Sequence, residues 1–267
     1  LAAPQLGNVT VLGPDGERIT LREPLAAAQA VSAQMTAWRK LNPALSPPGR
    51  YTHGLAYDSQ HSLTVLFGGD STGAARLNDT WTFDGVTWAP VTPSQSPPGR
   101  ANIDQTLVYD SARQRVVLFG GLGAGSYLND TWEFDGANWS PATGGDQPPP
   151  RDSHAMAFDS WQGQTVLFGG YAGAPLDDTW TYDGVWHPAN PAQSPPARFH
   201  HALAYASDRG VSVLFGGLGS GNTRLGDTWE YDGTTWRLIN PPQSPPARDN
   251  HSLVYDSLRQ VVVLFGG

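Results

Sequence analysis

The sequence predicts an all-β chain folded as a ring of repeated four-stranded units. Three observations carry that expectation. The first is a recurring triplet, Phe-Gly-Gly, which begins at Phe67, Phe119, Phe168, Phe215 and Phe265. The spacing is about 50 residues, one supersecondary unit that cannot bury its apolar face alone and must stack on its neighbours. The second is the order inside each copy: Pro-Pro-x-Arg, then His and Tyr-Asp, then Val-Leu-Phe-Gly-Gly, Asp-Thr-Trp, Asp-Gly and a second Trp. The third is composition. Among 267 residues there are 31 Gly, 23 Pro and 10 Trp, while only 15% are charged, which suits short strands and tight turns rather than helices. Four antiparallel strands per period, marked by aromatics and glycines, describe a β-propeller blade.

The first copy shows how the elements follow. Leu55-Ala56-Tyr57 is an inner strand, bounded by the turn pair Asp58-Ser59. Leu63 to Phe67 is a nearly continuous apolar run, as expected of a strand covered on both faces. Gly68-Gly69 ends it, where positive φ and close backbone approach demand glycine. Thr80-Trp81-Thr82-Phe83 alternates and is β-prone, and Asp84-Gly85 is a strong hairpin signal. Val86 to Ala89, with Trp88, forms the outer strand. Pro90 and Pro93 then stop the sheet, because proline cannot continue a ladder. Eight tryptophans recur at repeat positions, and each can bury roughly 150–250 Å², so they are expected to cement blade to blade.

The Gly doublets 68–69, 120–121, 169–170, 216–217 and 266–267, and the aromatic pairs after them, such as Phe83 with Trp88 and Tyr231 with Trp236, resemble the kelch-repeat family. The resemblance covers about residues 45–267. It implies a kelch-type propeller and little about activity, because function is carried by sites placed on such folds.

There are five beginnings but four complete phrases, since the fifth copy stops at Phe265-Gly266-Gly267. Left bare, Val261 to Phe265 would be an apolar edge, a hazard for aggregation. Thr36-Ala37-Trp38-Arg39-Lys40-Leu41-Asn42-Pro43 reads like Thr235 to Pro241, which makes Trp38 an outer-strand Trp. The simplest closure has N-terminal strands completing the last blade of a five-bladed ring. A longer parent with more blades, or donation of the N-terminal strands to a neighbouring molecule, are the other readings. No Asp-Thr-Trp precedes Trp38, so the family pattern is incomplete there. Val9 to Leu12 and Arg18 to Leu21 flank Pro14-Asp15-Gly16 as a hairpin, and the Ala-rich Pro24 to Met35 is expected to be a short helix. Residues 1–44 thus form an N-terminal closing segment and residues 45–267 the propeller.

Formal net charge is −8, with no basic cluster, which argues against nucleic acid as a partner. Cysteine is absent, so disulfide and thiolate chemistry are excluded. No apolar run approaches the ~20 residues of a spanning helix. Leu1-Ala2-Ala3-Pro4 reads as the remnant of a signal-cleavage region and sets an expectation of an extracellular or cell-surface protein.

The inner strands point to a candidate site. Aligned on Tyr-Asp, the copies place His53, Gln105, His154, His201 and His251 at one repeat position, with Arg50, Arg151, Arg198 and Arg248 three residues before their His. Each repeat position forms a ring about the axis. These residues either fix register through hydrogen bonds to backbone or Asp, or line a funnel for an anionic or sugar-like ligand. A metal is not expected, because imidazoles around a wide channel lie too far apart for the ~2.0–2.1 Å bonds of zinc. The variable loops after the Gly doublets carry Arg76, Tyr127, Tyr171 and Arg224, residue types suited to glycan or protein contacts. No nucleophile elbow, phosphate loop or His-Glu-x-x-His occurs, and no cofactor is implied. The reading is a non-catalytic binding or assembly module. A structural subunit of an extracellular polymer and a carbohydrate-active enzyme using the funnel are the alternatives.

Overall fold

The structure, a computed structural model, describes residues 6–12, 18–24, 40–71 and 75–267. The chain divides into two units, Leu1–Asn42 and Pro43–Gly267. In the first, β1 (Leu6–Leu12) and β2 (Arg18–Pro24) pair antiparallel with Val9 opposite Leu21, the expected hairpin in a longer form. The expected helix and the closing segment around Trp38 lie outside the described residues.

The second unit is an all-β propeller. A short lead-in, β3 (Arg50–Tyr51), pairs with β6 (Asp70–Ser71). Blade 1 is β4 (Gly54–Asp58), β5 (Leu63–Phe67), β7 (Thr80–Phe83) and β8 (Trp88–Val91), hydrogen-bonded in that order. Blade 2 repeats it with β9 (Leu107–Asp110), β10 (Arg115–Phe119), β11 (Thr131–Phe134) and β12 (Trp139–Ala142). Blade 3 is β13 (Ala155–Asp159), β14 (Gln164–Tyr171), β15 (Pro175–Tyr182) and β16 (Trp186–Ala189). Blade 4 is β17 (Ala202–Ala206), β18 (Val211–Phe215), β19 (Thr228–Tyr231) and β20 (Trp236–Ile239). Blade 5 contributes β21 (His251–Asp256) and β22 (Val261–Gly266), and among the described residues β22 pairs with β21 alone.

Outer strands begin at the Trp, two residues later than the expected Val86, because Val86 and Thr87 close the turn by donating their amides to Asp84 Oδ1 at 2.8 Å. Pro90 does not stop the sheet. It lies inside β8, opposite Trp81, and Pro141 and Pro188 occupy the same place in blades 2 and 3. These are edge strands, where proline costs no ladder bond on the solvent side.

The core lies between blades. Trp139 of blade 2 packs 5.1 Å from Phe67 of blade 1 and 5.1 Å from its own Phe134. Its indole donates to Thr80 Oγ1 of blade 1 at 2.9 Å. Trp186 repeats this on Phe119 and Thr131, and Trp236 on Phe168 and Thr179. Each of these rings is at least 98% buried. The first tryptophan of each blade has a different task. Trp81, Trp132, Trp180 and Trp229 donate to Oδ2 of the Asp two residues earlier.

Candidate binding face and axial cavity

That Asp is the partner of the repeat arginine. Arg100 Nη1 and Nη2 clasp Asp130 at 2.7 Å each, and its remaining donors reach the Gly120 and Pro98 carbonyls. Arg50 clasps Asp79, Arg151 clasps Asp178 and Arg198 clasps Asp227 in the same bidentate way. The Arg side chains are almost wholly buried, and each holds its Asp carboxyl below the usual carboxylate range against the opposing effect of burial. Among the described residues Arg248 reaches the Pro246 and Gly266 carbonyls and no carboxylate. The Arg backbone ties blades together. Gly69 N–H of blade 1 donates to Arg100 O, and Arg100 N–H donates back to Leu77 O. Arg151, Arg198 and Arg248 are held identically by the preceding blade. The arginines are therefore staples inside the blades, and none lines the axial cavity.

The Gly doublet makes this approach feasible. A Cβ on Gly120 would stand 2.7 Å from Arg151 O, and one on Gly169 would stand 2.6 Å from Arg198 O. On the second glycine the clash is with the His of the same blade: 2.8 Å from Gly170 to His154 Cβ and 2.8 Å from Gly217 to His201 Cβ.

The imidazoles beside the axis are wedged between blades. His154 meets Phe119 of the preceding blade edge-on at 5.5 Å, and His201 and His251 repeat this on Phe168 and Phe215. All three are at most 3% exposed, with their ring nitrogens closed off from solvent. Burial, reinforced by the nearby Arg, lowers the pKa of His53, His154, His201 and His251, so these rings are neutral. In blade 2 the place of the His belongs to Ile103, whose Cγ2 meets the Gly121 Cβ position at 2.6 Å. Gln105 is not its equivalent. Arg100 to Tyr109 is two residues longer than Arg50 to Tyr57, and this insertion carries Asp104 and Gln105 past Ile103 to the cavity wall.

The residue before each His was missed by sequence reasoning. Thr52, Asn102, Ser153, His200 and Asn250 all have φ between 52° and 55°. They form a belt of backbone bonds: Ile103 N–H to Thr52 O, Ser153 N–H to Asn102 O, His200 N–H to Ser153 O, and Asn250 N–H to His200 O. The signal was available, because Asn fills two of the five positions and His a third, and Asn and His tolerate the left-handed region. The belt borders a cavity of about 290 Å³, to which all five blades contribute, among them His53, Gln105, His154, His201 and His251. Among the described residues Asp104 is its one carboxylate. It stands exposed at the mouth without a hydrogen bond to another residue, and the surrounding wall displaces water enough to push its pKa up to about 6.

Two of the loop aromatics are brought to this mouth. Tyr127 meets Tyr171 at 6.1 Å, Tyr171 meets Phe199 at 4.9 Å, and Phe199 meets His200 at 4.9 Å. The row crosses blades 2, 3 and 4 and ends on the cavity wall. Asp152 accepts from Asn102 Nδ2 at 2.7 Å beside it. The loop arginines are placed apart from the cavity. Arg224 reaches Asp249 at 2.5 Å, tying blade 4 to blade 5. Arg76 lies 3.8 Å from Asp70 in a second hollow beside Pro98 and Gly99. Among the described residues no cluster of His, Asp or Glu is close enough to hold a metal ion, and no helix is long and apolar enough to cross a membrane.

Residues 28–190 match the model of the KLHDC2/KLHL20/DRC7 Kelch-repeats domain. The chain belongs to the kelch-repeat family. An F-box/kelch-repeat protein of Arabidopsis thaliana is 33% identical over 164 residues, which is 55% of this chain and 33% of that protein. Dynein regulatory complex subunit 7 of Chlamydomonas reinhardtii is 34% identical over 119 residues, 42% of this chain and 10% of the relative. Human host cell factor 2 is 31% identical over 160 residues, 51% and 20% respectively. The kelch chain thus spans a third or less of the length of these relatives.

Proposed function

We propose that this kelch propeller is a non-catalytic protein-interaction module whose binding face is the mouth of the axial cavity. One observation carries the reading: the aromatic row Tyr127–Tyr171–Phe199–His200, which leads from two variable loops to the cavity. Tyrosines held on a rigid scaffold offer large contact area at little cost in side-chain entropy, as at protein interfaces generally. The relatives support the same class, since one is named as a subunit of a complex. Binding of a glycan on the same aromatics is the second reading, favoured by the exposed Ser126 and Asn129 in the loop that carries Tyr127.

The test is affinity capture by the intact chain, compared with Tyr127→Ala/Tyr171→Ala and with Trp161→Ala, which removes an exposed ring of the β13–β14 turn. The double variant is expected to lose specific protein partners by about tenfold or more, as for a pair of aromatic anchors, while Trp161→Ala keeps them. Equal capture by all three would refute the assignment. A glycan array decides the second reading: saturable binding lost in the double variant would favour it.

A further inference from the structure

The two loop arginines occupy one repeat position, three residues before the Asp of Asp-Thr-Trp, and their surroundings differ. Arg224 of blade 4 reaches Asp249 of blade 5 at 2.5 Å. Asp249 directly precedes the belt residue Asn250. The same place in blade 2, before Asn102, belongs to Ala101, which offers Arg76 no side-chain acceptor. Asp70 stands 3.8 Å from Arg76 Nε, beyond hydrogen-bond reach. That Nε is closed off from solvent without a partner. The two Nη groups keep contact with solvent and likewise donate to no other described residue, although only a quarter of the side chain is exposed. A guanidinium so far withdrawn from water normally finds a carboxylate or a carbonyl. Arg76 lines a hollow of about 660 Å³ between blades 1 and 2, together with Pro98, Gly99 and residues 123–125 of the loop that carries Tyr127. Among the described residues no carboxylate lines it, and the amides of Gly99 and Ala124 donate to no other residue. The hollow is thus a set of donors without an acceptor. The chain carries a net charge of −8, so a general attraction for anions does not account for it.

We propose that this hollow receives a carboxylate, held by the fork of Arg76 in the way Asp249 is held by Arg224. This rests on the protein-binding reading above: the carboxylate is a glutamate or aspartate side chain of the partner that Tyr127 and Tyr171 hold, since the loop that presents Tyr127 is also a wall of the hollow. A cation would meet Arg76 and no counter-charge. An apolar group would seal the guanidinium from water and leave it unpaired.

The test is an NMR titration of the intact chain, followed through the backbone amides of Gly99 and Ala124, with Nα-acetyl-glutamate methylamide as probe. Nα-acetyl-glutamine methylamide is its neutral counterpart, and inorganic phosphate stands for a free oxyanion. The glutamate probe is expected to give saturable shifts and the glutamine probe none. Arg76→Gln should weaken binding by about tenfold or more, the worth of one charge-assisted hydrogen bond. Arg224→Gln, the same change of charge at the repeat position whose carboxylate is already supplied, should leave it unchanged. Ala101→Asp places in blade 2 the carboxylate that blade 5 gives Arg224, and should displace the probe with Arg76 still in place. Arg76→Gln should melt as the parent does, because Arg76 has no hydrogen bond to lose. Ala101 is fully buried, so if Ala101→Asp melts lower than the parent, the comparison of Arg76→Gln with Arg224→Gln decides. The glutamine probe shifting the same amides, binding unaffected by Arg76→Gln, or no saturation by the glutamate probe would each overturn the proposal. Tighter binding of phosphate than of the glutamate probe would overturn the partner source. Because the probes are small, failure here leaves capture of a protein by Tyr127 and Tyr171 standing, and the reverse also holds.

Discussion

At the scale of residues, the buried Arg–Asp clasp is the unit on which blades 1 to 4 depend. Removing one partner leaves the other charge stranded away from water, which costs about 3–5 kcal/mol. Asp227→Ala, which strands the fully buried Arg198, is expected to lower unfolding free energy by about 3 kcal/mol in denaturant titration. A loss below about 1 kcal/mol would mean the pair is nearly neutral, as exposed pairs are. Acid should act in two stages. The buried imidazoles of His154 and His201 have folded pKa values well below 6.5, so the unfolded chain binds protons more readily than the folded one. Their contribution is present above pH 6.5 and is lost as pH falls below it. The carboxyls of Asp79, Asp130, Asp178 and Asp227 are depressed below 3.8, so theirs is present above that value and is lost as pH falls through the folded values. Melting temperature should therefore decline between pH 7 and pH 5. His154→Gln/His201→Gln should flatten that decline, and an unchanged slope would assign it to other groups.

At the scale of elements, the end of each second strand is governed by backbone contact between blades. Gly120 combines φ of +61° with a Cβ position 2.7 Å from Arg151 O, which donates no room because it is backbone. Gly120→Ala is expected to cost more than about 1 kcal/mol, through strain and loss of the interblade bond. Gly49→Ala, with nothing within 4 Å, should be close to neutral. Equal melting of the two variants would contradict the role given to the doublet. The doublet and both tryptophan positions were legible in the sequence, since each repeats with the blade. The outer-strand prolines were misread because their effect depends on whether a strand has one neighbour or two, and a single chain segment does not carry that information. The register of blade 2 was misread for a related reason. A two-residue insertion shifts the apparent partner of His53 to Gln105, whereas packing against the Gly doublet places Ile103 there.

At the scale of the whole molecule, four complete blades and the two strands of the fifth share one axis and one cavity. Stability in such repeats is a sum of units and nearest-neighbour interfaces. Blades 2 and 3 have Trp–Thr bonds on both sides, through Thr80 and Trp139, Thr131 and Trp186, and Thr179 and Trp236. Amide exchange should accordingly be slowest in β10, β14 and β18 and faster by at least about tenfold in β22. Uniform protection across all five blades would show that β22 is covered as fully as the others.

Local rules settled most of the architecture without coordinates. A period of about 50 residues, with glycine, aromatic and turn marks in constant order, admits a stack of four-stranded blades and little else. Which side chains reach the axis was decided only by the tertiary structure. Arg and His recur at the same spacing in the chain, yet Arg50, Arg100, Arg151 and Arg198 each clasp a carboxylate within their own blade, while the His rings of blades 3 to 5 pack on the preceding blade's Phe. The balance between a bidentate ion pair and a neutral ring against a phenylalanine is set by what the neighbouring strand presents. The electrostatic sign of the cavity therefore follows from packing, not from the residues that repeat around it.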